Sequence, residues 1–365
     1  MEFTVKKPPI RSNQQRSYKR QITLHISLLV VAFASIIVKA FIDVPEDVSW
    51  VPVQMFDTLF MLVIGAGTSI IVELLYSISE GTSHEFAKYN RLVDPINTGL
   101  IIALLLPSST PIYALILAVA VGVYVGKIVF GGYGYYIFNP ALVGALFATI
   151  AFGSSITYGE TPLTLLKGTL EGVSYNFNLL ELIVGNYNAI AIGSSVAFML
   201  VISFVYLCIT RVIDLKISGT YLLAIALISA IVGYINFGGA ALNYVLVNMI
   251  TGLTLFGAVF LISESVSSPT SRETKMIYAV VVAILTMMMR ILGSEVEGVI
   301  FAILFGNMIT PYLNRTVKRS NKNTLIKTSI ILFFVVLFTG IALGFILQGR
   351  LIDVFQAATM IGGIL

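Results

Sequence analysis

The sequence predicts an all-α protein that crosses a membrane many times, and three observations carry that prediction. Of its 365 residues, 57% are apolar and 11% are charged, less than half the roughly 25% charged content of a soluble globular chain. Mean hydropathy is +0.95. The apolar residues also fall into runs of the length a helix needs to span a bilayer, about 20 residues. No sizeable soluble domain fits between them.

In chain order, a basic tail over 1–21 carries Lys6, Lys7, Arg11, Arg16, Lys19 and Arg20. It has no signal-peptide cleavage pattern after it, so the first apolar stretch is expected to remain as a helix. Spanning segments come next at 22–42, 55–79, 112–130, 189–209, 219–237, 243–262, 276–292, 296–313 and 325–347. Two further segments are short: 96–106, stopped by Pro107, and 140–153, started by Pro140. Short, proline-bounded segments of this kind form discontinuous helices around a buried site. The division expected is a cytoplasmic tail (1–21), a first membrane half (22–153), an external loop (154–188) and a second membrane half (189–313). A basic loop with an extra transmembrane helix (314–365) closes the chain.

Lys and Arg set the orientation, because cytoplasmic loops collect them. The tail is cytoplasmic on this rule. Loop 43–54, with Asp43, Glu46, Asp47 and no Lys or Arg, lies outside, and loop 80–95, with Lys88 and Arg91, lies inside. Loop 154–188 has only Lys167 and lies outside. Loops 210–218, 263–275 and 314–324, each with at least two basic residues, lie inside. The protein is therefore expected in the plasma membrane, multi-pass, with its N-terminus in the cytoplasm.

The two halves echo one another. Residues 97–111 and 251–270 each read Thr-Gly, an apolar run, then Ser-Ser near proline. The first Ser-Ser break faces out and the second faces in, as an inverted-topology repeat requires.

Polar groups embedded in apolar spans are costly and mark an interior or a cavity. Glu264, Arg290, Glu297 and Asn307 are of this type. Glu264, Ser267 and Ser268, with Ser108 and Ser109 of the other half, stand at broken helix ends. They either cap freed backbone groups or bind a ligand edge or an ion. Arg290 and Glu297 are expected to form an ion pair across a helical hairpin. Gly131, Gly132, Gly134 and Asn139 precede a short helix. They make either a tight turn with a helix start or a place where backbone approaches a ligand. Lys127 reads as an anchor snorkelling to the inner boundary, and tyrosines 133, 135 and 136 as an interfacial belt. Cys208 is the one cysteine and His25 and His84 are the two histidines, so neither a disulfide nor a Cys/His metal site is expected. No catalytic triad or phosphate loop is present. Chemistry would come from a bound cofactor that the protein positions.

Four motifs resemble one family: N-T-G-L-I-I-A-L-L-L-P (97–107), G-K-I-V-F-G-G-Y-G-Y-Y-I-F-N-P-A-L-V-G (126–144), S-V-S-S-P (265–269) and E-G-V-I-F-A-I-L-F-G-N (297–307). Together they resemble the RnfD/NqrB family, membrane flavoprotein subunits of Rnf and sodium-pumping NADH:quinone oxidoreductase complexes, over roughly residues 20–315. The resemblance implies a ten-helix fold of two inverted five-helix halves, like that of urea channels, to which this chain adds one C-terminal helix. It implies FMN joined by a phosphoester to a threonine in the external loop, a second non-covalent flavin in some members, and partner subunits bearing flavin or iron–sulfur groups. Here S-I-T-Y-G-E-T-P-L (155–163) matches the attachment motif, with Thr161 as the threonine and Gly159 as the glycine. Ser155, Tyr158 and Glu160 depart from it, and the alternative for Thr161 is a Thr-Pro turn in an ordinary loop. Glu264-Ser265 stands where the family has Asp-Pro.

The function expected is a membrane subunit of an ion-translocating electron-transport complex that carries electrons through FMN, coupled to Na+ or H+ movement. The alternative is a flavin-free solute or ion transporter or channel of the same fold. The lipid bilayer is a partner on either reading, and nucleic acid on neither.

Overall fold

A computed structural model describes residues 11–41, 51–81, 89–156, 183, 191–292, 298–316 and 322–362. Among these residues the secondary structure is helical, without strands. The helices are α1 Arg11–Phe41, α2 Val51–Ser79, α3 Tyr89–Leu105, α4 Ile112–Val123, α5 Pro140–Phe152 and α6 Ala197–Ile209. They continue as α7 Leu215–Phe237, α8 Ala241–Ile250, α9 Leu253–Phe256, α10 Arg272–Leu292, α11 Val299–Thr316 and α12 Lys322–Gly362. Among the described residues five stretches are long and apolar enough to cross a membrane alone, among them Tyr18–Val38 and Leu325–Arg350, and the bent pair α8–α9 makes a sixth. Shorter apolar helices include Pro140–Ser155 and Ala197–Ile209. The protein is thus an all-α, multi-pass membrane protein.

Each predicted stretch has a helix in it, with two differences. The stretch 243–262 is not one helix: α8 and α9 meet at Thr251-Gly252 with a bend of 55°. Gly252 has φ 68, a left-handed conformation that glycine adopts without a Cβ penalty. The stretch 189–209 begins its α-helix only at Ala197, after a 3-10 turn over Ile192–Ser194.

Helices α1–α5 pack chiefly on one another, and α7, α8 and α10–α12 do the same. Helix α6 packs chiefly on α1, and α5 meets α11 between the two groups. Ile102, Leu104, Leu115, Leu142, Tyr221, Phe256 and Tyr278 are fully buried at the centre. With no water to exclude from lipid, close packing of small residues does the holding. At the α2–α3 crossing, a Cβ on Gly99 would sit 2.3 Å from the Gly65 carbonyl oxygen. At α4–α5, one on Gly144 would sit 2.6 Å from the Ala118 oxygen.

The last helix is docked rather than loose. Gly340 and Gly344 of α12 receive Ile231 and Ile235 of α7. Asn236 Nδ2 donates to the Gly344 carbonyl at 3.1 Å. Arg350 donates to the carbonyls of Ile291 and Leu292 at 3.1 and 3.2 Å, filling two of the orphan acceptors at the end of α10.

Candidate functional site

Two π-helical turns lead into one region between the two groups of helices. Tyr124–Ile128 extends α4, and Gly257–Leu261 extends α9. An extra residue in a turn rotates the remainder of the helix by about 100°, and such turns are frequent at functional sites. The first turn carries Lys127; the second ends just before Ser263 and Glu264.

Lys127 is 3% exposed. Its ammonium donates to Glu73 of α2 and Asp94 of α3. The expected snorkelling anchor is therefore corrected: two carboxylates on neighbouring helices draw the ammonium inward, where three donors can serve both. Asp94 Oδ1 also accepts from Gln21 Nε2 at 3.0 Å. Asn97 Nδ2 donates to the Gln21 carbonyl, so Asn97 Oδ1 is the acceptor for His25 Nδ1 at 2.7 Å. That fixes the proton of His25 on Nδ1 and ties α1 to α3.

Across the gap, Tyr136 donates to Glu264 Oε1, and Ser267 donates to Glu264 Oε2 at 2.8 Å. Tyr136 is 5% exposed whereas Tyr135 is 75% exposed. Of the expected aromatic belt, Tyr136 belongs instead to the site. Asn139 caps α5, its Oδ1 accepting from the Ala141 amide at 3.0 Å with Pro140 in the first turn, a strong local start signal. The glycines before it are required by backbone conformation: Gly131, Gly132 and Gly134 have φ of 102, 88 and 96. A Cβ at Gly132 or Gly134 would meet nothing within 4 Å, so close approach to another group is not what holds glycine there.

On the far wall, the Asp214 amide donates to Ser263 Oγ at 2.6 Å. Asp214 in turn caps α7 through the Lys216 amide and accepts from Lys275. Burial alone would raise the Asp214 carboxyl, but the hydrogen bonds from Lys275 and from the Lys216 amide outweigh it and hold the group below its ordinary value.

These groups enclose a half-open cavity of about 90 Å³, lined by Asp94, Asn97, Tyr136, Asn139, Ser263 and Glu264 among others, with Arg20 and Gln21 at its edge. Two carboxyl groups, Asp94 and Glu264, and the basic Arg20 line it; Glu73, which shares Lys127 with Asp94, is not in the lining. The cavity is smaller than the about 150 Å³ that admits a benzene ring, though ample for several waters or a small ion. A flavin ring does not fit inside it. Among the described residues no three His, Cys, Asp or Glu side chains converge as a metal site; the arrangement instead places one carboxyl from each side, Asp94 and Glu264, on a shared half-open cavity.

Of the residues singled out from sequence, the fold brings Asn139, Glu264 and Ser267 together here, with Ser268 buried beside them and the three glycines on the loop that carries Tyr136. Ser108 and Ser109 are not in the lining. Thr161, Gly159 and Glu297 lie outside the described residues. Arg290 donates to the carbonyls of Asn248 and Thr251, and Asn307 accepts from Tyr278 at 2.9 Å. Sequence reasoning missed Glu73, Asp94 and Gln21. A signal existed, because Glu73 stands in an apolar run and Asp94 precedes Pro95 at the start of one.

The model of the NQR2, RnfD, RnfE family matches residues 4–323. Three relatives are similar over about three-fifths of this chain. One, from the Na(+)-translocating ferredoxin:NAD(+) oxidoreductase complex of Acetobacterium woodii, is 30% identical over 233 residues, 60% of this chain and 70% of its own length. Another, from the Na(+)-translocating NADH-quinone reductase of Pseudomonas aeruginosa, is 26% identical over 243 residues, 61% of this chain and 59% of its own length. The third, from the ion-translocating oxidoreductase complex of Methanosarcina acetivorans, is 27% identical over 220 residues, 60% of this chain and 68% of its own length. Each of the three is one subunit of the complex named.

Proposed function

The chain belongs to the NQR2, RnfD, RnfE family, and from that premise we infer that it is a membrane subunit of an ion-translocating electron-transport complex. The single observation that carries this reading is the family match along nearly the whole chain. The cavity between the two helix groups supports it, since Asp94 and Glu264 offer carboxyl oxygens to a cation or proton beside loops 210–218 and 263–275, the loops expected on the cytoplasmic side. Partner subunits carrying flavin or iron–sulfur groups would complete the redox circuit.

Residues 22–153 and 189–313 are the two halves of a ten-helix inverted repeat on this reading, with α12 added. Apart from α6, which packs chiefly on α1, the helices within each half pack mainly on their own neighbours, and each half has a Ser-Ser break beside proline. Orientation follows the basic loops. A cysteine placed at Asn176 is expected to react with an impermeant reagent from outside. One placed at Asn321 is expected to react only after permeabilisation; its labelling in intact cells would overturn the orientation.

FMN is expected at Thr161, in the 154–188 loop, with Gly159 beside it and Pro162-Leu163 after it. When bound it supplies one- and two-electron redox chemistry, and the Thr161 hydroxyl is the group that would tether it by phosphoester. A second flavin, held without a covalent bond, would lie against the open side of the Gly131–Gly134 loop, outside the cavity, with Asn139, Glu264, Ser267 and Ser268 behind that loop.

Thr161→Ala is expected to abolish acid-stable flavin absorbance and leave assembly intact, because loop substitutions away from buried features shift stability by about 0.5 kcal/mol or less. Mass spectrometry of the 154–188 peptide, from protein made with a flavin transferase, reads the same outcome. A peptide without FMN in both the native protein and a Tyr158→Ser/Glu160→Ala revertant would remove the covalent site. The flavin-free transporter is the second reading, favoured by Ser155, Tyr158 and Glu160 in the attachment motif. Recovery of a lone homo-oligomer with transport activity after gentle extraction would support it.

A further inference from the structure

The turn that closes α6 is built around an arginine where the backbone favours glycine. The Arg211 amide donates to the Cys208 carbonyl at 3.1 Å, and the Val212 amide donates to the Leu207 carbonyl at 3.0 Å. Such a pair of bonds ends a helix through one residue in the left-handed conformation, a place usually held by glycine. Arg211 has φ 56 and is the one non-glycine residue with positive φ among the described residues. In that conformation a Cβ crowds the carbonyl that follows, so capping gives no reason for an arginine. Its side chain is exposed.

Other basic side chains stand with it. Helix α6 packs chiefly on α1. Arg20, Gln21 and Leu24 of α1 line the same cavity as Val212 and Ile213, which sets the end of α6 beside the basic start of the first apolar stretch. Lys19, Arg20, Arg211 and Lys216 are all exposed, and none of them joins an ion pair among the described residues. Asp214, the acid of this turn, already accepts from the Lys275 ammonium and the Lys216 amide. Large apolar side chains flank the turn: Ile209 is 75% exposed and Leu215 is 59% exposed. Val205 of α6 and Ile26 of α1 are exposed as well.

Basic groups gathered at the end of exposed apolar helices suit a molecule with a negative head and a hydrocarbon tail. We propose that an anionic phospholipid is seated at the α1–α6 seam, on the side expected to be cytoplasmic. Its phosphate lies on Arg211 and Arg20, with Lys19 and Lys216 beside them, and its acyl chains run along Ile209 and Val205. Free phosphate would meet the same cations but would gain nothing from the apolar side chains. The lipid fastens α6, which has little protein to rest on besides α1. This site does not depend on the ion-translocating reading.

The test uses the purified complex, stripped of lipid in neutral detergent and mixed with a photoactivatable phosphatidylglycerol or phosphatidylcholine. Labelling of the peptides covering 18–30 and 197–216 is read by mass spectrometry. Phosphatidylglycerol is expected to label them strongly and phosphatidylcholine weakly, with no competition from excess inorganic phosphate. Arg211→Gly removes the charge and relaxes the backbone. It is expected to lower labelling about fivefold, the scale of one basic residue at an anionic surface, without lowering the thermal midpoint in lipid-free detergent. Arg211→Lys should keep most of the labelling. Arg315→Ala, at an exposed basic residue at the end of α11, should leave it unchanged. Equal labelling by the two lipids, or undiminished labelling of Arg211→Gly, overturns the proposal. So does a lowered lipid-free midpoint for Arg211→Gly, which would give the arginine a role in the fold itself. An equal loss from Arg315→Ala would show general attraction rather than a seat, and suppression by inorganic phosphate would assign the cations to free phosphate; either result also overturns it.

Discussion

Lys127→Met is expected to destabilise the protein by about 3–5 kcal/mol, the usual result of removing one partner from a buried ion pair. Glu73 and Asp94 would then face each other with no positive charge between them, in side chains only 15% and 19% exposed. Either a proton must bind or α2 and α3 must part. The triple variant Lys127→Met/Glu73→Gln/Asp94→Asn should recover most of the loss, because a neutral replacement of a buried ionic set is often nearly neutral in stability. Thermal unfolding of the purified complex reads both. An unchanged midpoint for the single variant would mean that the three groups do not depend on one another.

Gly99→Leu is expected to be similarly damaging by a different route. Its Cβ would stand 2.3 Å from the Gly65 carbonyl oxygen and 2.9 Å from the Ala66 Cα. Both are backbone atoms, which cannot rotate aside as a side chain would. Overpacking typically costs about 1–3 kcal/mol, and more where the backbone itself must move. Separating α2 from α3 would also pull Glu73 away from Asp94 and so loosen the grip on Lys127. Gly67→Leu is the control, since a Cβ at Gly67 meets nothing within 4 Å. Equal losses from the two substitutions would show that the crossing is not the cause.

Much of the fold was legible in the sequence because lipid enforces a simple rule: long apolar runs become helices. The Pro107 and Pro140 boundaries were equally visible, since proline cannot continue a helix from before it. The α8–α9 break was not legible. Thr251-Gly252 interrupts no apolar pattern, and the same dipeptide at Thr98-Gly99 leaves α3 intact. What differs is tertiary, a guanidinium from α10 that donates to the carbonyls freed at Asn248 and Thr251. Lys127 was misread for a related reason. A lysine near a boundary snorkels unless acids wait inside, and Glu73 lies 54 residues away in the chain. Half of the site was therefore found by motif, in Asn139, Glu264 and Ser267. The other half depended on which helices become neighbours.

The docking of α12 bears on the order in which the chain can finish folding. Asn236 finds its carbonyl partner 108 residues later, at Gly344, and α10 ends on carbonyls that Arg350 supplies with donors only after 58 more residues have been made. A ribosome delivers α7 and α10 to the membrane long before α12 emerges. During that interval the Asn236 amide has only its bond to the Val232 carbonyl within α7, and the end of α10 must be covered by lipid headgroups, water or the insertion machinery. Synthesis halted before Gly340 would leave a nearly complete chain with its polar seams open, a species that membrane quality control is built to recognise.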